Sequence, residues 1–458
     1  MNGAFFGDML QSISDRGRKL LDLTRTRRAD SVTRSADFVV LCEDLLSGRG
    51  EASGVALARE ILTRYSALTI GPRIAFFEAL AQQFGSDQAR MQKAIEAWQA
   101  NPNDLTASEV HHAAEPRRQE LFRRLNLAPG GTAALVRMRE HLLDAMSHRS
   151  DLSVVDADFV HLFSSWFNRG FLVLRRIDWS TPANILEKII KHEAVHKIRS
   201  WDDLRRRIDP PDRSCFAFFH PALNDEPLIF VEVALTNGLP GAIAPILAAS
   251  REPLAPDAVD TAAFYSISNC QRGLAGVSFG NFLIKQVVEE VSRDNPKLKT
   301  FVTLSPVPGF ASWLKRERQA ESSRALTADD IAALTVLDTE GWQQVPERRA
   351  PVEEPLMRAA AWYFMHARNP RGLPADPVAR FHLGNGARLE RMHFLADGSE
   401  NGIRQSHGVM VNYLYDLDDI EKNHEAFAES RIVVASNAVK KLARPGPSGE
   451  VVPVASKA

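Results

Sequence analysis

From the first residues to about position 169, apolar side chains recur at steps of three and four, the period of amphipathic helices. The clearest helix opens at Gly71-Pro72 and carries Ile74, Phe77, Leu80, Ala81 and Phe84 on one face, with Pro72 suited to N1 and Gly85 to C′. A second follows Pro129-Gly130-Gly131, with Thr132 as its predicted cap and Leu135, Met138, Leu142 and Met146 as its apolar face. A third starts after Asp156 and shows Phe159, Leu162, Phe163, Trp166 and Phe167, a stripe wide enough for deep packing. After Gly170 the pattern changes, and β-branched and aromatic runs alternate with helices. Segments 171–174, 216–219, 228–235, 264–267, 301–304, 409–415 and 432–434 read as strands. The expected architecture is therefore α+β and multidomain: an all-α N-terminal domain over 1–169, an α/β domain over 170–443 and a flexible tail over 444–458, where no apolar period remains.

Composition narrows the class of protein. Of 458 residues, 45% are apolar and 25% charged, the balance of an ordinary globular chain with room for more than one core. Lys and Arg number 56 against 57 Asp and Glu, so no global field draws the chain to nucleic acid or an anionic membrane. No window reaches the roughly 18 uninterrupted apolar residues of a membrane span. The short N-terminal apolar patch lacks a basic region ahead of it and is interrupted at Asp8, so secretion is not expected. Three cysteines, Cys42, Cys215 and Cys270, form no C-x-x-C pair and suit a reducing cytoplasm.

Two short motifs point to chemistry and are weakened by their context. His192-Glu193-Ala-Val-His196 spells the zincin pattern, in which two imidazoles one helical turn apart hold zinc. The helix that starts after Thr181-Pro182 is near its end there, no third ligand is evident, and Lys191 and Lys197 flank the pair. Polar histidines at a helix end are the preferred reading, and no metal is expected. Gly276-Val-Ser278-Phe-Gly280 spells the nucleophile elbow of serine hydrolases, which needs a strand running straight into it. The strand at Phe264 ends too far upstream.

The same glycines fit a strand, loop and helix N-terminus that attract phosphate, with Arg272 adding charge and Gly273, Gly276 and Gly280 allowing close backbone approach. Packing alone would explain them equally well. One strand later, Leu304-Ser305-Pro-Val-Pro-Gly-Phe310 stops abruptly and presents a hydroxyl at a strand end, where α/β proteins place ligands. His382, in Arg380-Phe-His-Leu-Gly-Asn-Gly386, stands between apolar neighbours before a turn.

Taken together and in order, Phe264-Tyr-Ser-Ile-Ser268, Gln271-Arg-Gly-Leu-Ala-Gly-Val277, Gly280-Asn-Phe-Leu-Ile-Lys285, Leu304–Phe310, Phe381-His-Leu-Gly-Asn-Gly386 and Asn412-Tyr-Leu-Tyr415 resemble the malonyl-CoA decarboxylase family. The resemblance covers residues 170 to about 440, and the helical region before it is similar to that family's N-terminal domain. It implies an acetyltransferase-like (GNAT-like) catalytic domain whose splayed central strands hold acyl-CoA, working without metal or biotin, the CoA moiety being part of the substrate. It implies further that Ser305 and His382 form the catalytic pair and that Ala275, Gly276, Val277, Ser278, Phe279, Gly280 and Asn281 bind malonyl-CoA. Ser266 and Tyr415 would line the site. Ser278 stands where some relatives carry glutamate, so no acid–base role passes to it, and the acetyltransferase pyrophosphate signature is met only loosely by Gln271 to Gly276. A cytoplasmic homotetramer is the implied assembly.

The chemistry implied is loss of CO2 from malonyl-CoA through a thioester enolate, leaving acetyl-CoA. Ser305 would orient the malonyl group, and His382, titrating near neutrality, would deliver the proton. Three alternatives stay open: an acyl-CoA N-acyltransferase of the same fold, a serine hydrolase using Ser278, and an acyl-CoA sensor without turnover.

Overall fold

The computed structural model describes residues 35–47, 50–277 and 283–443. These gather into two compact units. The first takes the described residues up to Leu172 together with 220–224 and 271–277; the second takes 173–219, 225–270 and 283–443. Two short segments from within the expected sheet domain thus cluster with the helices. The expected tail over 444–458 lies outside the described residues.

The helical unit packs the apolar stripes that its sequence spaces at three and four. The helix Ile70–Gln83 buries Phe76, Phe77 and Leu80, and Gly85 stands one residue past its C-cap, Phe84. Pro72 occupies its first turn as its third residue, with Thr69 as N-cap, instead of N1. The second helix runs Gly131–Met146 and is capped by Gly130 at φ 73°, so Thr132 is not its cap. The Thr132 hydroxyl donates instead to Asn126 Oδ1 at 2.7 Å. The third helix begins at Ser153, three residues before Asp156. Phe159 stacks on Phe122 at 4.2 Å, and beside them Arg118 is ion-paired with Asp158 in the interior. A buried charge pair of this kind is tolerated because Gln119 also donates to Asp158, at 2.5 Å. No helix among the described residues is long and apolar enough to cross a membrane.

The second unit is built on an eight-stranded mixed sheet. Its strands are β1 (Val173–Ile177), β2 (Arg213–Phe219), β3 (Pro227–Thr236), β4 (Thr261–Asn269), β5 (Thr300–Thr303), β6 (Ser305–Pro306), β7 (Arg388–His393) and β8 (Met410–Leu414). They run in the order β1-β2-β3-β4-β5-β8-β6, with β7 also on β8. Six of the strand segments read from the sequence reappear with shifted ends. The seventh, 432–434, forms no strand; Val434 only accepts the backbone N–H of Leu389 at 3.0 Å. Conversely, β7 is a strand that the sequence pattern does not predict, because Arg388, Glu390, Arg391 and His393 break its apolar alternation.

All pairings are antiparallel except β4 with β5. That parallel ladder holds only from Thr261↔Thr300 to Phe264↔Thr303, after which β4 continues to Asn269 without β5. The strands therefore part, the splay that the acetyltransferase-like expectation requires. Ile185, Leu186 and Ile189 of the helix Ala183–His192 cover Cys215, Ala217 and Phe230 of the sheet. Each such side chain taken from water contributes about 1.5–3 kcal/mol.

Candidate active site

Ser305 lies where β5 stops. Leu304 still donates its N–H to Phe264 O at 2.9 Å, but Pro306 and Pro308 cannot donate to a ladder, and the chain turns into the helix Phe310–Gln319. A Cβ at Gly309 within that turn would meet Tyr363 Oη at 2.6 Å, so a larger residue there would have to displace the Tyr363 ring. Ser305 and Thr303, two residues apart on one side of the strand, are 5% and 0% exposed. The Ser305 hydroxyl donates to Thr303 Oγ1 at 2.8 Å. Thr303 is itself held twice by β8: Tyr413 N–H donates to its Oγ1 at 3.1 Å and Asn412 Nδ2 to its carbonyl at 2.8 Å.

His382 comes from the helix Pro377–Gly384. Asp376 caps this helix, accepting from Ala379 N–H at 2.8 Å. The other oxygen of this carboxylate, Oδ2, is buried without a hydrogen-bond partner among the described residues. Burial raises the pKa of Asp376 to about 6 in spite of the backbone N–H groups near it. The His382 ring sits 3.2 Å from Ser305 Oγ through Nε2 and 2.8 Å from the Tyr415 hydroxyl through Nδ1. It stacks on Tyr413 at 4.6 Å, which Tyr415 can accompany because alternate residues of a strand share a face. Beside Tyr415 a groove of about 540 Å³ opens, lined by Ile284, Lys285, Val288, Leu417 and Ile420 among others.

One expectation is corrected. His382 does not titrate near neutrality: complete burial, with no charged neighbour to offset it, pushes its pKa down to about 3. The imidazole is neutral, one nitrogen a donor and the other an acceptor.

The other expected residues fall elsewhere. Ser266, on β4 past the splay, donates to Glu193 Oε2 at 2.7 Å and Oε1 at 2.9 Å, and Ser268 donates to the same carboxylate. Glu193 and His196 belong to the zincin-like motif, but the helix ends at His192 and the chain then turns, so the two histidines do not share a helical face. Glu193 accepts the N–H groups of Val195 and His196 and shapes that turn. Among the described residues no group of three or more His, Cys, Asp or Glu is arranged to hold a metal ion.

Ala275, Gly276 and Val277 lie in the helical unit. Their loop is clamped to the helix Gly131–Met146: Arg139 Nη1 donates to Gly273 O at 2.9 Å and Ala275 O at 2.8 Å, and Arg272 is ion-paired with Asp144. A Cβ on Gly273 would meet Val136 O at 2.0 Å, so this glycine serves packing, whereas Gly276 has φ +77° and open space around it. Ser278, Phe279, Gly280 and Asn281 lie outside the described residues. The long run from β4 to Gly276 is as the sequence suggests: β4 ends at Asn269 and a 3₁₀ turn, Arg272–Leu274, intervenes, which no nucleophile elbow has. Sequence reasoning missed Thr303, Tyr413, Asp376 and Arg139. The i, i+2 spacing of Thr303 and Ser305, and of Tyr413 and Tyr415, was the available signal for the first two.

Comparison with known proteins identifies the family of the chain. The profile of the malonyl-CoA decarboxylase C-terminal domain matches residues 170–451, and that of the malonyl-CoA decarboxylase N-terminal domain matches 84–167. The mitochondrial malonyl-CoA decarboxylase of the goose Anser anser anser is 36% identical over 416 residues, 83% of this chain and 82% of that protein. The rat protein of the same name is 33% identical over 88% of this chain and 85% of its own length. The crystal structure of malonyl-CoA decarboxylase from Rhodopseudomonas palustris superposes with a TM-score of 0.87 at 59% identity, covering 90% of this chain and 100% of that one. That from Agrobacterium vitis gives 0.85 at 58%, over 89% and 99%. With both profiles in order along the chain, and relatives matched over most of their length, the chain belongs to the malonyl-CoA decarboxylase family.

Proposed function

We propose that this chain is a carboxy-lyase that converts malonyl-CoA to acetyl-CoA and carbon dioxide. The observation that carries the reading is the buried hydrogen-bonded run Ser305–His382–Tyr415 beside the splayed strands, in a chain of this family. Ser305 meets the malonyl group. The bond between Cα and the carboxylate breaks, its electron pair stays on the thioester as an enolate, and CO2 leaves. A proton then passes to Cα from the Ser305–His382 pair and is replaced from water by way of Tyr415 at the groove. The balance is one malonyl-CoA and one proton to one acetyl-CoA and one CO2.

A neutral imidazole suits this step. The enolate is a strong enough base to take a proton from a neutral N–H or O–H, and a malonyl carboxylate beside His382 raises the ring's own proton affinity. No other charge need be buried before substrate arrives. Ala275, Gly276 and Val277, with the adjoining residues to Asn281, would bind the CoA portion, though not through the N–H groups of Ala275 and Val277, which donate to Arg272 O and Leu274 O at 3.0 Å. The reaction runs without metal or biotin, in the cytoplasm, and the protein assembles as a homotetramer; these parts of the proposal rest on the family resemblance and on composition.

Mass-spectrometric product analysis of purified protein with malonyl-CoA, in the presence of EDTA and avidin and without an amine, tests it. Acetyl-CoA and CO2 in equal amounts are expected. Free CoA with malonate would overturn the reading in favour of hydrolysis, and turnover only with an added amine would make the chain an acyltransferase. Light scattering after size exclusion and cell fractionation test the assembly and the compartment.

A further inference from the structure

The hydrogen bonds around Ser305 contain a direction that the catalytic pair alone does not set. The Ser305 proton points at Thr303 Oγ1. Its oxygen is then left to accept, and the neighbour within reach on the other side is His382 Nε2 at 3.2 Å. A neutral imidazole carries one proton, so placing it on Nε2 makes Nδ1 an acceptor, and the Tyr415 hydroxyl at 2.8 Å is there to donate to it. All three protons thus point the same way, from Tyr415 at the groove to Thr303 in the interior. Thr303 ends the chain because it cannot turn: β8 fixes its carbonyl through Asn412 and its hydroxyl oxygen through the Tyr413 N–H.

We propose that Thr303 is a positioning residue for decarboxylation, and that by taking the Ser305 proton it holds His382 as the Nε2–H tautomer, the proton facing Ser305 and the reacting carbon. The inference rests on the decarboxylase reading and deepens it. Without the Thr303 oxygen, the Ser305 hydroxyl turns to donate to Nε2, the imidazole proton moves to Nδ1, and the pair no longer presents a proton where the enolate forms. The proton supply is also ordered: Tyr415, the member of the run that lines the groove, is last to give its proton and first to recover one from water.

The test uses the full chain with three variants. Thr303→Val keeps the shape of the side chain and removes the acceptor; kcat should fall at least about tenfold, the worth of one buried hydrogen bond, with KM within about twofold. Thr303→Ser restores the oxygen and should recover kcat to within about threefold of the parent. Equal losses in both variants, with a raised KM and a lowered melting temperature, would mean that Thr303 only supports the strand, and would overturn the proposal. Solid-state 15N spectra of histidine-labelled protein, with His382 identified by difference against His382→Ala, read the tautomer without turnover. Nε2–H is expected in the parent protein and Nδ1–H in Thr303→Val. Nδ1–H in the parent would overturn the proposal whether or not Thr303→Val folds, and would do so independently of the product analysis that tests the decarboxylase reading.

Discussion

At the scale of the residue, His382 shows why the identity of a side chain does not give its charge. A histidine is expected to titrate near pH 6.5, yet this one is enclosed by Ser305, Tyr413 and Tyr415, none of them charged, and its cation has lost its hydration without gaining a counter-ion. The folded-state pKa of about 3 lies below the ordinary value, so the ring is neutral in the free protein throughout the physiological range. Because kcat/KM reports the free enzyme, its pH profile should show no ionisation of His382 near 6.5, and should change by less than about threefold from this cause between about pH 5.5 and 7.5. A tenfold fall on one ionisation near 6.5, absent from His382 variants, would show a cation in the free site. Replacing the proton-bearing groups should be severe in kcat: His382→Ala and Ser305→Ala are each expected to lose about 10²–10⁴-fold in steady-state assays of decarboxylation. Tyr415→Phe should lose less, about 10–100-fold, since one hydrogen bond to a buried ring nitrogen goes while the ring and its stacking stay.

Elements place these side chains, and here the sequence is readable where a pattern has a period and unreadable where a partner sets the outcome. The helices and the hydrophobic strands follow from spacing. The strand β7 does not, because it sits beside β8 with alternating charges on it, and the segment 432–434 reads as a strand on the strength of Ile432, Val433 and Val434 although no ladder receives it. Ser305, His382 and Tyr415 are legible as a set only through the resemblance of several segments at once. Asp376 is legible as an N-cap before Pro377, but not as a buried carboxyl, because its burial is set by segments distant in sequence. Asp376→Ala removes an N-cap and should cost about 1–2 kcal/mol, while Asp376→Asn keeps an acceptor for Ala379. The pH dependence carries a sign. This acid has its folded pKa raised to about 6, so its contribution is most favourable below the ordinary carboxylate range and is lost as pH rises towards 6. Asp376→Asn should abolish that decline in urea unfolding between about pH 4 and 6; an unchanged slope would assign it to other groups. In the helical unit, Arg139 holds the carbonyls of Gly273 and Ala275 while Asp156 holds its Nε at 2.7 Å. Arg139→Met should therefore loosen the 273–277 loop and raise KM for malonyl-CoA about tenfold or more with a smaller change in kcat. Equal KM values would remove that loop from substrate binding.

For the whole molecule, stability combines two opposite responses to pH. Among the described residues, His382 at about 3, and His196 and the half-buried His407 at about 4, are held neutral, mainly by loss of hydration, with Arg207 adding to it at His196 and Arg318 at His407. The unfolded chain protonates them below pH 6.5 and the folded one does not, so each loses stability as the solution is acidified. Glu232 acts in the other direction. It is fully buried on β3, and burial together with the nearby Glu193 raises its pKa to about 8, although Arg207 Nη1 lies 3.2 Å from its Oε2. As pH rises above the ordinary carboxylate range the unfolded chain gives up this proton first, and stability falls until the folded carboxyl also ionises near 8. The two trends meet in a maximum near neutrality, set on its acid side by His382 together with His196 and His407, and on its alkaline side by Glu232, which takes no part in the reaction. Glu232→Gln keeps an oxygen for Arg207 and removes the proton exchange. Its unfolding free energy relative to the parent should therefore climb by about 1.4 kcal/mol per pH unit between about pH 5.5 and 7.5, measured by urea titration at fixed ionic strength. The gain should level off above pH 8, once the folded parent has ionised too. A difference that stays flat over the whole range would mean that Glu232 is already ionised beside Arg207 in the folded protein, and that the alkaline side of the maximum belongs to other groups.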